Sequence, residues 1–185
     1  MILLGTALAL ITSGCLGGSV TVEESFENGL VDWTVGKDLP VDPNTGDPIE
    51  TSASISEDRA RTGSKSLSLS IDGRQDDGTV WVQLPIAVST AGTKRAQISF
   101  YVFSETESFN VLAQIVAYAN VSQPSDEADF EKIGQANPAA GWNKFEMSKD
   151  VEVASGQPIY VAIGITVAWE TILEYEFDDV RITIS

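Results

Sequence analysis

The sequence predicts an all-β fold: a two-sheet antiparallel jelly-roll sandwich of about nine strands, with at most one short helix. Three observations predict it. Apolar and polar residues alternate with a period of two in segment after segment, as in strands with one face on a core. Gly, Pro, Asn and Asp cluster between those segments, where turns are needed. No segment carries a sustained apolar stripe at helical spacing.

The chain opens on an uncharged apolar run, Met1 to Cys15, that ends at the only cysteine. Such a run is too short to cross a bilayer as a helix but suits the core of a secretory signal. With Ser13 and Gly14 before Cys15, it resembles a lipoprotein signal, in which a peptidase cuts before the cysteine and the thiol carries lipid. Thr12 stands where that signal usually has Leu, and no Lys or Arg precedes the run. An ordinary cleaved signal or a buried N-terminal segment are the alternatives. The expectation is a signal over 1–15 lipidated at Cys15, a linker over 16–21, and one β-sandwich domain over 22–185. The protein is then anchored by lipid at the cell envelope or outside the cell.

The strands follow in order. The alternation predicts them near 19–26, 51–56, 65–72, 79–84, 96–104, 110–119, 143–147, 159–169 and 175–184. Gly73 to Gly78 is a turn, and Lys37 to Glu50 and Asn120 to Gly141 are loops. The one helical candidate is Ser125 to Ile133, capped by Ser125. Trp33, Trp142 and Trp169 are assigned to the core, Trp169 because it shares phase with Ile163, Ile165 and Val167.

Composition narrows the function. Asp and Glu number 27 against 11 Lys and Arg, a net charge of −16 that repels nucleic acid and anionic headgroups. Neutral ligands and divalent cations suit such a surface. One cysteine permits no internal disulfide. The absence of histidine removes Ser-His-Asp and Cys-His machinery and any His-ligated metal. No catalytic residue is assigned, and a non-enzyme is expected.

Three ordered segments, Ser25 to Trp33, Glu57 to Leu67 and Tyr175 to Ile182, together resemble carbohydrate-binding modules with a galactose-binding-like jelly roll. The resemblance implies one structural calcium near the chain ends. Glu27 and Asp178 carry over as side-chain ligands, with carbonyls from Gly63 to Ser66 completing the set. Strand phase agrees: Asp178 falls in step with Val180, Ile182 and Ile184, so strict alternation aims it inward, where a carboxylate needs a cation or several donors. Pairing with Arg59 or Arg61, or a bulge that turns it outward, are the alternatives, and Asp179 is the fallback ligand. A second acidic loop, Asp42 to Glu50, departs from EF-hand spacing and is expected to be a solvated turn.

Sugar binding needs aromatic faces with amides and hydroxyls beside them. Phase places Trp81, Gln83, Tyr101, Gln114, Tyr118, Tyr160 and Thr166 opposite the core sets of their strands, as one concave ligand face. The expected function is a non-catalytic module that binds an oligo- or polysaccharide. The alternative is a structural or adhesive envelope protein that assembles through edge strands. A glycosidase needs two carboxylates facing each other, and no such pair shares a strand on the aromatic side.

Overall fold

The computed structural model describes residues 12–13 and 19–185. Cys15, most of the signal expectation and the first half of the linker lie outside the described residues. The strands are β1 (Thr12–Ser13), β2 (Val20–Glu24), β3 (Thr34–Asp38), β4 (Thr51–Ser56), β5 (Ser66–Asp72), β6 (Thr79–Ile86), β7 (Gly92–Ser104), β8 (Ala113–Asn120), β9 (Glu131–Gln135), β10 (Gly141–Val153), β11 (Ile159–Val167) and β12 (Ile172–Ile184). All nine expected strands are present, and every pairing between described strands is antiparallel.

Two sheets face each other. One runs β3-β6-β11-β8-β9. The other is organised by β12, which pairs with β5 through Ile172–Phe177 and with β2 through Val180–Ile184. Its opposite side pairs with β7, and β7 pairs with β10 from Gly141↔Ser104 to Val153↔Gly92. The inward sets predicted by alternation fill the space between the sheets. Val80, Val82 and Leu84 meet Ile98, Phe100 and Val102, with Ile159 to Val167 at odd positions and Phe177 stacked 5.7 Å from Phe100.

Three strands were not expected. β1 is a two-residue pairing with β2 within the span expected to be a signal. β3 is a solvated edge whose Thr-Val-Gly-Lys-Asp shows no apolar rhythm. β9 lies where the helix was expected. Asp126, not Ser125, caps a single 3-10 turn at Glu127–Asp129, and the chain is extended from Phe130 onward. Phe130 packs 5.0 Å from Trp81 and 5.7 Å from Tyr118. Burying that ring outweighs the small cost of ending a weak helix.

The rhythm of β12 breaks once, and this corrects the expected placement of Asp178. Phe177 and Val180 both belong to the core, with two residues between them instead of one. The register against β7 shifts between Asp178 and Arg181, and Asp179 takes a left-handed φ of 49°. This is a β-bulge. Asp178 therefore sits on the outer face, opposite Tyr101, and is buried there because the Arg59–Thr62 segment crosses over it. Strict alternation had aimed it at the core.

Left-handed φ is costly for a β-branched residue. Asp179→Val should therefore be less stable than Asp179→Gly by about 1–2 kcal/mol in urea melts. Both variants lose the Asp179 side-chain bonds, so the difference isolates the backbone. Equal stabilities would mean that the bulge is not needed in solution.

Candidate functional site

Six of the seven residues expected on the sugar face share one side of one sheet, and the aromatic centre of that side, Trp81 and Tyr118, is closed. Trp81, Gln83, Gln114, Tyr118, Tyr160 and Thr166 all lie on the outer side of the β3-β6-β11-β8-β9 sheet. Tyr101 does not join them: it lies on the other sheet, in β7, with the Arg61 guanidinium 3.5 Å over its ring. Of the remaining six, Trp81, Gln83, Tyr118 and Thr166 are buried and Gln114 and Tyr160 are half-buried, and Phe130 packs over Trp81 and Tyr118. Trp81 is 2% exposed and Tyr118 3%, and with Val116, Phe130 and Ala162 they form a second small core, flanked by Tyr160.

Their polar groups are used internally. Trp81 donates its indole N–H to Gln83 Oε1 at 2.9 Å, Tyr118 donates to the Ser122 carbonyl at 2.9 Å, and Thr166 to the Gly78 carbonyl at 3.4 Å. The indole lies flat across β3 over Gly36, where any Cβ would strike the ring. Glu127 ties the cover down: its backbone N–H donates to Asp38 at 2.9 Å, and its carboxylate takes Thr79 Oγ1 at 3.0 Å and Lys132 Nζ at 3.0 Å.

The four residues expected around calcium do converge on one segment, Arg59–Ser66. Glu27 Oε1 accepts the backbone N–H groups of Ser64 at 2.8 Å and Lys65 at 2.7 Å, and Oε2 accepts the Ser64 hydroxyl at 3.0 Å. These bonds, the Ser64 N–H first, hold the Glu27 carboxyl below the usual carboxylate range. Asp178 Oδ2 accepts the N–H groups of Arg61 at 2.6 Å and Thr62 at 3.0 Å, and Oδ1 that of Asp179 at 2.7 Å. Burial pushes Asp178 upward against those three donors. Gly63, at φ 68°, leaves room for the Glu27 carboxylate, and the buried Ser66 hydroxyl donates to the Arg59 carbonyl at 2.6 Å. Asp179 takes the Arg61 guanidinium and the Thr62 hydroxyl. N–H groups, not carbonyl oxygens, face the two carboxylates, a donor set that does not fit an oxygen-lined calcium cage. Among the described residues no three acidic groups cluster as metal ligands would.

The same segment builds one wall of a groove. Arg59 lies 4.6 Å over the Phe103 ring and bridges Glu105 and Glu176. Burial raises the Glu176 carboxyl, with Arg59 opposing. The groove holds about 330 Å³ and is lined by Arg59, Phe103, Glu105, Asn137, Ile172 and Glu174, among others. Asp58, Glu105, Glu174 and Glu176 line this depression, away from the aromatic side of the other sheet to which the expectation referred. Phe103 also takes the edge of Trp142 at 5.4 Å, on the sheet's outer side and not in the core as expected.

The loops at this end carry aromatics in water. Phe109 is fully exposed, Trp169 is 54% exposed and Ile172 66% exposed. Trp169 was expected in the core, but β11 ends at Val167 and its phase ends with it. Ala168 donates to the Leu112 carbonyl at 3.1 Å, which joins the Trp169 and Phe109 loops. Asn137, 1% exposed, stitches the Phe109 loop: its amide donates to Ser108 O at 3.3 Å and Asn110 O at 3.1 Å, and accepts Leu112 N–H at 3.4 Å. The sequence signal for this end was an aromatic beside Asn or Glu in a loop, which strand phase does not register.

Phe130→Ala should cost about 3 kcal/mol in denaturant melts and make one more tryptophan open to acrylamide quenching. Unchanged quenching would mean that Phe130 does not shield Trp81.

No protein-family model matches the sequence, and no curated protein matches it. Similarity appears among solved structures. The chain is similar to one from carbohydrate-binding modules of the β-sandwich superfamily with promiscuous specificity: 14% identity over 88% of this chain and 73% of that one, TM-score 0.54. It is similar to a family 61 carbohydrate-binding module in complex with β-1,4-galactotriose: 14% identity, 85% of this chain, 92% of that one, TM-score 0.51. It is also similar to the K3 cleaved adhesin domain of Lys-gingipain from Porphyromonas gingivalis: 17% identity, 90% and 99% covered, TM-score 0.54. The chain therefore has the β-sandwich fold found in carbohydrate-binding modules.

Proposed function

We propose that this chain is a non-catalytic carbohydrate-binding module, exported and held at the cell envelope by lipid on Cys15. The observation that carries the binding reading is the end of the sandwich where Trp169 and Phe109 stand in water beside a groove of polar groups. An exposed indole offers the flat face that a sugar ring stacks on, and Glu105 and Glu174 supply hydrogen-bond acceptors nearby. The likeness to modules that bind sugars supports the same reading. The apolar run before Cys15 supports export.

Several features argue against catalysis. Arg59 bridges Glu105 and Glu176, which commits both carboxylates to its guanidinium, and Glu174 accepts the Ser68 hydroxyl at 3.0 Å. The groove carries Asp58, Glu105, Glu174 and Glu176 against the single cation Arg59. That balance favours neutral sugars and disfavours uronates. The closed sheet face favours a second reading, an adhesive envelope protein with no soluble ligand.

Pull-down on insoluble β-1,4-galactan, xylan and cellulose separates the two. The wild type should bind at least one neutral polymer and not polygalacturonate. Trp169→Ala should weaken binding about tenfold or more, and Tyr160→Ala should leave it unchanged. Retention of no polymer would favour the adhesive reading, and binding that survives Trp169→Ala would move the site elsewhere.

A further inference from the structure

We infer that backbone N–H groups and the Lys65 ammonium hold the Arg59–Ser66 segment in the role of a metal ion, so that this sandwich closes without calcium. Glu27 and Asp178 are the carboxylates that an ion at this junction would use. Each instead receives three donors, five of the six being backbone N–H groups. A carboxylate offers roughly four lone-pair sites, so little of either is left for a cation. Calcium takes about six to eight oxygens, yet the segment turns its N–H groups to the carboxylates. Positive charge is already supplied. Lys65 Nζ donates to the main-chain carbonyl of Glu27 at 3.4 Å, and Arg61 binds Asp179. A divalent ion placed here would meet an ammonium and a guanidinium. Charge-assisted N–H bonds to carboxylate are among the stronger hydrogen bonds, so the clasp has adequate means.

The arrangement joins three distant parts of the chain: the start of the domain at Glu27, the Arg59–Ser66 segment and the bulge in β12. Each carboxylate holds a different stretch of the segment, Asp178 at Arg61 and Thr62, Glu27 at Ser64 and Lys65. Gly63 lies between the two grips.

Thermal melts of the full chain test the inference, run in roughly 0.5 M NaCl so that diffuse cation binding to the acidic surface is screened. EDTA should leave the wild-type Tm unchanged. CaCl2 should raise it no more than MgCl2 does. Lys65→Met and Glu27→Gln should each lower Tm by about 3–8 °C, equally with and without EDTA. A fall in wild-type Tm on chelation, or saturable one-to-one calcium binding by calorimetry that Glu27→Gln abolishes, would overturn the inference. A Lys65→Met variant as stable as wild type would overturn the part assigned to the ammonium.

Discussion

At the bulge in β12 the strand spends two residues, Asp178 and Asp179, where the rhythm allows one. The first puts a carboxylate on the outer face of the sheet, and the second puts its neighbour in a left-handed turn. A carboxylate in that position is unstable unless donors reach it. The Arg59–Ser66 segment supplies them, and it can do so because Glu27 holds its other half from the start of the domain. Burial of Asp178 and closure of the segment are thus one event. Without the bulge, Asp178 would fall in the core phase of Val180 and Ile182 and Phe177 would be turned out of the core, and the segment would have nothing to close on.

The consequence reaches the groove through Arg59. The segment that Asp178 and Glu27 hold delivers that guanidinium over Phe103 and between Glu105 and Glu176. Glu105 begins the loop that carries Phe109, and Asn137 stitches the rest of that loop from below. Groove and exposed aromatics therefore sit on a backbone that is fixed at several points, and a surface fixed before its ligand arrives loses less entropy on binding. The other sheet has taken the opposite course. Trp81 and Tyr118 on its outer side are sealed under Phe130, with their hydrogen bonds spent on Gln83 and the Ser122 carbonyl, and their burial adds to stability.

Much of the fold was legible because its rules are local. Period two is enforced by the pleat, so Val80, Val82, Leu84 and the odd positions of β11 announced their face without help. The same rule correctly put Trp81, Gln83, Gln114, Tyr118, Tyr160 and Thr166 on one side of one sheet. It could not report what lies above that side, since Phe130 arrives from a separate segment. It could not report a bulge, which is an exception to the rule itself, and so it sent Asp178 the wrong way. It also misjudged Trp169, where alternation in sequence outlasted the strand. Glu27 and Asp178 were legible as partners of one segment, but whether that segment offers carbonyls or N–H groups depends on backbone rotation around Gly63. Side-chain identity does not carry that information.

Native-state hydrogen exchange at single amides reads the clasp most directly. Arg61, Thr62 and Ser64 are exposed residues, whose amides exchange fast unless something holds them. If the carboxylates accept their N–H groups, these amides are protected well above Gly63 between them, and Asp178→Asn strips protection from Arg61 and Thr62 while leaving Ser64 and Lys65 protected. Exchange at Arg61, Thr62 and Ser64 as fast as at Gly63 in the wild type would contradict the account.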